Sequence, residues 1–208
     1  MSEGFYDRHV LPGLLDLACG LPVVTAQRRK VVPLAQGRVL EVGIGSGLNL
    51  PHYDPARVSR LIGLDPGEAL LEKARRRSRA SAVAVEFLAM AGEQIPLEAG
   101  SVDTVVVTYT LCTIPGVEQA LSGMRRVLAP GGRLLFCEHG LAPDASVASW
   151  QRRLQPLWGR LVGGCHLTRD PGALLQNAGF SLNWIERAYA RGAPRFAGWH
   201  HIGIATPR

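Results

Sequence analysis

A glycine-rich turn flanked by two acidic residues is the part of the sequence with the clearest chemical potential. Gly43, Gly45 and Gly47 follow a short apolar segment. Glu41 lies two residues before the first glycine, and Asp65 lies 18 residues after the last. Glycines let the backbone turn sharply and let a ligand approach the bare main chain. Because a carboxylate after the next apolar segment can accept hydrogen bonds from both hydroxyls of a ribose, the spacing indicates a nucleoside-binding turn.

Two nucleoside cofactors use this arrangement, and the sequence favours one of them. A dinucleotide requires G-x-G-x-x-G, so that its pyrophosphate lies at a helix N-terminus, but position 48 is Leu48. Glu41 would also repel a pyrophosphate, whereas it suits a positively charged ligand. S-adenosylmethionine carries an ammonium group and a sulfonium group but no phosphate. We therefore expect S-adenosylmethionine, with S-adenosylhomocysteine as its product; the alternatives are a dinucleotide and a turn without a ligand.

Three further segments add to the evidence from the glycine turn: residues 92–96, 101–103 and 126–132. With the glycine turn they make the chain resemble the class I S-adenosylmethionine-dependent methyltransferases. The resemblance implies that Glu41 lies near the methionine ammonium group, that Asp65 holds the ribose and that Pro66 flanks the adenine. It also implies that Thr108 and Tyr109 line the methionine end of the site.

The resemblance leaves the adenine end of the site less regular. The family offers an acid to the adenine amine at a position where this chain has Ala91. Adenine recognition is therefore expected to use the backbone of Ala91 and Gly92, with Glu93 following in the same loop. Near the N-terminus, Tyr6 resembles the lid segment of the ubiquinone and menaquinone methyltransferases, which implies a contact with the cofactor.

The second half of the chain contains five segments with a narrower resemblance: residues 111–113, 138–139, 150–158, 164–169 and 199–203. Their order is similar to that in methyltransferase-like proteins of the animal endoplasmic reticulum and lipid droplets, which are thiol S-methyltransferases. The resemblance implies a small, apolar thiol as methyl acceptor. Because some bacterial relatives are named phosphatidylethanolamine N-methyltransferases, a phospholipid or quinone at a membrane surface is the alternative acceptor. A cofactor-sensing binding protein is the alternative to an enzyme.

A thiol acceptor needs modest help to lose its proton, since its pKa is about 8.5. His139, just beyond the fifth predicted strand, is the first candidate for a general base because its pKa suits neutral pH. His166, in the substrate-side region after a helix predicted at residues 150–162, is the second. The alternative for His139 is a structural hydrogen-bonded pair with Glu138.

No metal site and no covalent nucleophile are expected. Cys112 and Cys165 are predicted to pack in the interior, because methyl transfer needs no covalent intermediate. His200 and His201 are adjacent in a predicted strand and so point to opposite faces.

The elements that must position these residues alternate between strands and helices. Strands are predicted at residues 39–42, 60–64, 83–88, 102–108, 133–137, 181–189 and 202–206. Helices are predicted at residues 68–79, 117–128, 150–162 and 171–178, after a helical segment at 7–35 that prolines interrupt. The alternation predicts an α/β, Rossmann-like, doubly wound sheet of seven mostly parallel strands with helices on both faces. Ligands then bind beyond the carboxyl ends of the strands.

The length and composition are those of one globular domain. The chain has 208 residues, of which 47% are hydrophobic and 19% charged, which excludes global disorder. We expect a single methyltransferase domain at 1–208, with an N-terminal helical lid (1–36), a cofactor-binding core (37–140), and substrate-side helices with C-terminal strands (141–208). The four cysteines form no C-x-x-C pair, which disfavours a zinc finger or a disulfide scaffold.

Charge and hydropathy restrict the partners. The net charge is +6, but the basic clusters, such as Arg28-Arg29-Lys30, are short and expected on solvated helix faces. No aromatic residues alternate with them, so no nucleic-acid partner is expected. No apolar run reaches 18 residues, and the start lacks the pattern of a signal peptide. A cytoplasmic protein is expected, with residues 10–21 as the candidate for peripheral membrane contact.

Overall fold

The computed structural model describes residues 4–208 and contains a seven-stranded sheet. The strands are β1 (Gly37–Val42), β2 (Val58–Leu64), β3 (Val85–Leu88), β4 (Val102–Thr108), β5 (Leu128–His139), β6 (Phe180–Tyr189) and β7 (Trp199–Pro207). Their order is β3-β2-β1-β4-β5-β7-β6. The first five strands are parallel, and β7 runs antiparallel to both β5 and β6. The direction of strand succession reverses between β1 and β4, so a ligand site is expected beyond their carboxyl ends.

Eight α-helices accompany the sheet in the described part of the chain. They are α1 (Phe5–His9), α2 (Leu11–Cys19), α3 (Pro22–Arg28), α4 (Glu68–Ser78), α5 (Val117–Val127), α6 (Ala145–Leu161), α7 (Pro171–Asn177) and α8 (Arg195–Gly198). Short 3-10 helices lie at Val32–Leu34 and Leu50–His52. No helix among residues 4–208 is both long enough and apolar enough to cross a membrane.

Apolar residues on both faces of the sheet are covered, as a parallel sheet requires. Successive residues of one strand face opposite ways: Leu40 belongs to one apolar cluster, with Leu121 of α5, and Val39 belongs to the other, with Leu71 of α4. The prediction of an α/β sheet with helices on both faces is confirmed.

Several predicted boundaries are wrong. β5 begins at Leu128 instead of residue 133, and it ends at His139, which is therefore part of the strand. Helix α6 begins at Ala145, five residues before the predicted start, and it continues through Pro156. Four of the first five residues of α6 are alanine or serine, and its large apolar side chains begin only at Trp150, which is why the start was predicted too late. The interruption of the N-terminal helical segment at Pro12 and Pro22 is confirmed: each proline lies in the first turn of a new helix, because a first-turn residue needs no N–H partner.

Candidate active site

The glycine turn after β1 has an open side next to Gly45. All three glycines have positive φ, at 73° for Gly43, 53° for Gly45 and 79° for Gly47. A Cβ at Gly43 would lie 2.3 Å from the side chain of Thr110, and one at Gly47 would lie 2.8 Å from Leu50. A Cβ at Gly45 would meet no other described residue closer than 4.0 Å. Packing therefore requires the outer two glycines, whereas the middle one leaves room beside the main chain.

Asp65 follows β2 directly and is hydrogen-bonded to the same turn. One carboxylate oxygen accepts the N–H of Gly45 at 2.9 Å, and the other accepts the N–H of Gly67 at 2.8 Å. Burial raises the pKa of Asp65, and these two bonds oppose the rise. Each oxygen keeps a further lone pair, since a carboxylate can accept about four hydrogen bonds. The carboxylate is thus fixed at the turn with acceptor capacity to spare.

Glu41 lies in β1 beneath the turn and is held by two neutral donors. Its carboxylate accepts hydrogen bonds from Asn49 at 2.9 Å and from the hydroxyl of Tyr53 at 2.7 Å. Burial raises the pKa of Glu41 to about 7. Its direct contact with an ammonium group stays a prediction, because both oxygens already have partners in the protein.

Arg28, at the end of α3, is a buried cation beside this network. Its guanidinium donates to Thr108 at 2.6 Å and to Asn49 at 3.2 Å. It also lies 4.8 Å from the ring centroid of Tyr109. The prediction that the Arg28-Arg29-Lys30 cluster is solvated is wrong for Arg28, which is 5% exposed. Three consecutive basic residues give no signal that the first of them turns inward.

The N-terminal helices are fastened over the glycine turn. Asp16 of α2 accepts hydrogen bonds from Ser46 at 2.6 Å and from Arg77 at 2.7 Å. Burial tends to raise the pKa of Asp16, but the hydrogen bonds from Arg77 and Ser46 prevail and lower it to about 2. Nearer the N-terminus, the hydroxyl of Tyr6 donates to the carbonyl of Leu161 at 2.8 Å. The predicted cofactor contact of Tyr6 stays a prediction, and its hydroxyl joins α1 to α6.

The loop after β3 already has partners in the protein. Gly92 is packed so closely that a Cβ there would lie 3.1 Å from Ile114. The carbonyl of Ala91 accepts a hydrogen bond within the loop, and the carboxylate of Glu93 accepts the N–H of Gly116 at 2.9 Å. Glu93 therefore stabilises the start of α5. Adenine recognition by this loop stays a prediction, and so does the expectation that Pro66, which is exposed, flanks the adenine.

Tyr109, the residue after β4, has a strained backbone. Its φ is 54°, a left-handed conformation that is rare for residues other than glycine. Its buried hydroxyl has no hydrogen-bond partner in the part of the chain that the structure describes. Its ring stacks on the imidazole of His139, with the centroids 6.5 Å apart. Strain and an unsatisfied hydroxyl at a strand end are typical of functional sites.

A cluster of two cysteines and one histidine lies at the ends of β4 and β5. The Sγ atoms of Cys112 and Cys165 and a ring nitrogen of His139 lie within 4.8 Å of one another. Nε2 of His139 is 3.2 Å from Sγ of Cys165. Both cysteines are buried, as predicted, and Cys165 has the imidazole as an additional polar contact. We call these three residues the Cys-His-Cys cluster.

Comparison with known proteins identifies the central part of the chain. Residues 40–136 match the sequence model of the family described as a methyltransferase domain. These residues form a methyltransferase domain.

Similar proteins extend this comparison beyond the domain. The human thiol S-methyltransferase TMT1B is 39% identical over 160 residues, which cover 74% of this chain and 64% of the relative. The human thiol S-methyltransferase TMT1A is 38% identical over 155 residues, covering 72% and 62%. The chain thus spans somewhat less than two thirds of the length of these relatives. A SAM-dependent methyltransferase structure from Thermotoga maritima superposes with a TM-score of 0.69 at 19% identity, covering 98% of each chain, and shows the shared fold.

The Cys-His-Cys cluster favours a thiolate on Cys165 and a positive charge on His139. A hydrogen bond from Cys112 lowers the pKa of the Cys165 thiol, burial opposes this, and His139 lowers the pKa further. The hydrogen bond to Cys165 raises the pKa of the Cys112 thiol, and burial adds to the rise. Burial disfavours the charged form of His139, but the contact with Cys165 raises its pKa overall. The fold thus places a polarised thiol pair near the glycine turn.

Glu138 positions the loop that carries Cys112. One of its oxygens accepts the N–H groups of Thr110 at 2.8 Å and Leu111 at 3.2 Å. The other oxygen is buried and has no partner within residues 4–208. The alternative of a hydrogen-bonded pair with His139 is therefore wrong. Because the side chain of Thr110 also contacts the turn at Gly43, Glu138 connects the cluster to the glycine turn.

The other histidines considered from the sequence are His166, His200 and His201. The main-chain N–H of His166 donates to the carbonyl of Cys112 at 2.8 Å, and its ring is partly buried. Burial lowers the pKa of His200 and of His201 to about 4, so both are neutral near pH 7. A catalytic role for His166 stays a prediction.

We expect Arg28→Met to destabilise the protein by about 3 kcal/mol, because it removes a buried cation and leaves polar partners unpaired. For a chain of this size the melting temperature should fall by about 6–12 °C. Differential scanning calorimetry measures the change. The neighbouring Arg29→Met, on an exposed side chain, is the matched control and should change the melting temperature little. Equal melting temperatures for the two variants would contradict the role of Arg28.

Proposed function

We propose that the chain is an S-adenosylmethionine-dependent methyltransferase that methylates a small, apolar thiol. The observation that carries this proposal is the position of the Cys-His-Cys cluster, which adjoins the glycine turn through Thr110 and Gly43. The relatives named thiol S-methyltransferases are 38% and 39% identical to the chain over 155 and 160 residues, which supports a thiol acceptor.

The residues of the turn fit the proposed cofactor. The open side of Gly45 admits a ligand against the main chain. Asp65, with unused lone pairs, would accept hydrogen bonds from the ribose hydroxyls. Glu41 lies below as a carboxyl group that favours a nearby cation when ionised. When bound, S-adenosylmethionine supplies a methyl group on a sulfonium sulfur, and its leaving group departs as a neutral thioether.

The residues of the chain then have three tasks in the transfer. Asp65 and the turn orient the cofactor, so that the methyl carbon lies in line with the acceptor sulfur. A positive charge on His139, which the contact with Cys165 favours, would stabilise an acceptor thiolate, and the acceptor proton would pass to water. As the new S–C bond forms, the old C–S bond breaks, and the pair of electrons in it remains on the departing sulfur. The stacked ring of Tyr109 helps to exclude water from His139.

Helix α6 offers apolar surface for an apolar acceptor. Trp150, Leu157 and Leu161 are 58%, 60% and 48% exposed, so they are not part of the core. Trp158, on the same helix, is partly buried and packs edge-on against Phe196. The role of α6 as a cover for the acceptor is part of this proposal.

A panel of thiols tests the proposed function. We expect S-adenosylhomocysteine to form with small alkyl and aryl thiols, and the methylated thioether to appear in equal amount by mass spectrometry. Turnover of phosphatidylethanolamine in liposomes without turnover of any thiol would replace the proposed acceptor. Binding of the cofactor without turnover of either class would favour a sensor.

Two alanine substitutions in the turn distinguish ligand binding from packing. Gly45→Ala should reduce stability by about 1 kcal/mol, because its φ is left-handed, and should weaken S-adenosylhomocysteine binding about tenfold by filling the open side. Gly43→Ala should reduce stability by about 3 kcal/mol, since its Cβ would also collide with Thr110. Thermal unfolding and calorimetric titration measure the two effects. Unchanged affinity in Gly45→Ala would show that the ligand does not lie against this glycine.

We also propose peripheral contact with membranes through the N-terminal helices. Phe5 and Leu17 are 78% and 70% exposed, and Leu14 is 44% exposed. Apolar side chains on short surface helices insert shallowly at lipid interfaces. Leu17→Ser should reduce co-sedimentation with liposomes of phosphatidylglycerol and phosphatidylcholine by severalfold. Equal co-sedimentation, or none for the natural protein, would exclude this contact.

A further inference from the structure

We propose that Cys112, His139 and Cys165 form a zinc site whose fourth position receives the sulfur of the acceptor. The proposal rests on the proposed thiol methylation for the identity of the fourth ligand. The sequence predicts no metal site here, because the three residues are far apart in the chain and no pair has the spacing of a zinc motif.

The donor atoms are already near the positions that zinc requires. In a tetrahedral site with Zn–S of about 2.3 Å and Zn–N of about 2.0 Å, neighbouring donor atoms lie about 3.5–3.8 Å apart. The Sγ of Cys165 is 3.2 Å from Nε2 of His139, and all three donor atoms lie within 4.8 Å of one another. Shifts of about 1 Å or less would therefore bring them to the distances of such a site.

Hydrogen bonds fix the two loops that carry the cysteines. The carbonyl of Cys112 accepts the N–H of His166 at 2.8 Å, which joins the two loops directly. The carbonyl of Cys165 accepts a hydrogen bond from Gln155 at 3.0 Å, and Gln155 also accepts the N–H of Leu167 at 2.7 Å. His139 is held in place as the last residue of β5. The donor set is thus positioned by the fold and not by chance contact of flexible side chains.

The donor types favour zinc and leave one position open. Two thiolates and one imidazole are ligands that zinc prefers over calcium or magnesium. Three protein ligands with a free fourth position are typical of catalytic zinc, whereas structural zinc has four. Binding would release the proton of the Cys112 thiol and the extra proton of the His139 imidazolium, and give a neutral Cys2His site. An acceptor thiol bound at the fourth position would lose its proton to solvent, and the resulting thiolate would remain a nucleophile for the methyl carbon.

Metal analysis and cobalt spectroscopy test the site. The full-length chain is purified without added chelator, and its zinc content is measured by inductively coupled plasma mass spectrometry. We expect about one zinc per chain in the natural protein and in Cys19→Ser, whose partly buried thiol lies outside the cluster. Cys112→Ser and Cys165→Ser should each lose most of it. Replacement with Co²⁺ should give thiolate-to-metal charge-transfer bands and the d–d bands of a tetrahedral ion, which 1-butanethiol should shift.

Each outcome decides the proposal. Zinc below about a tenth of an equivalent after supplementation, or an equal content in the cysteine variants, would mean an adventitious ion only and overturn the site. Circular dichroism confirms that the variants are folded, and chelation of the natural protein provides a second route to the metal-free form. Full thiol turnover after chelation would overturn the role of zinc while the proposed function stands. Metal binding with a cobalt shift but no thiol turnover would support the site and contradict the proposed function.

Discussion

Asp65→Ala should weaken the binding of S-adenosylhomocysteine by about tenfold or more, while the protein stays folded. The carboxylate is held by the N–H groups of Gly45 and Gly67, which aim it at the turn. Its charge-assisted hydrogen bonds to ribose hydroxyls would contribute about 1.5–3 kcal/mol, which corresponds to at least tenfold in affinity. Isothermal titration calorimetry measures the effect directly.

The matched control for this variant is Asp103→Ala. Asp103 forms an ion pair with Arg38 at 2.9 Å. Both residues lie near the amino ends of β1 and β4, whereas the glycine turn and Asp65 lie beyond the carboxyl ends of the parallel strands. The side chain is 39% exposed, so its loss should have little effect on stability. Its removal should leave the affinity unchanged. Equal affinities for Asp65→Ala and the natural protein would show that the ribose lies elsewhere.

The parts of the site that lie on strand ends could be predicted from the sequence. The glycine turn and Asp65 each directly follow a predicted strand. Because the two strands are parallel neighbours, the sheet alone brings these residues together at its carboxyl ends. Arg28 could not be predicted, because only tertiary packing distinguishes it from Arg29 beside it. The same is true of Cys165, which lies 53 residues beyond Cys112 in a loop after α6. No local sequence pattern predicts where the loop after α6 packs against the sheet.

His139→Ala should reduce kcat/KM for a small thiol by about 100-fold at pH 7, with the affinity for S-adenosylhomocysteine within twofold of the natural value. The imidazole lies 3.2 Å from Cys165, and this contact raises its pKa against the opposing effect of burial, which favours its positively charged form. Loss of a positioned acid–base group typically reduces the rate by a factor of about 10²–10⁴. Steady-state kinetics at saturating cofactor, with a coupled assay for S-adenosylhomocysteine, measures it.

The pH dependence of His139→Ala separates two roles for this residue. If His139 only took the proton of the acceptor, raising the pH past the thiol pKa of about 8.5 would supply the thiolate and restore the rate. We expect instead that the variant stays at least about 30-fold slower at pH 9. A higher pH supplies the acceptor thiolate, but it does not replace the imidazole, which holds that thiolate by its charge or by binding a metal ion. Recovery to within fivefold of the natural rate at pH 9 would contradict this and leave His139 as a proton acceptor alone. Unchanged activity at both pH values would remove His139 from the site and place the acceptor away from the end of β5.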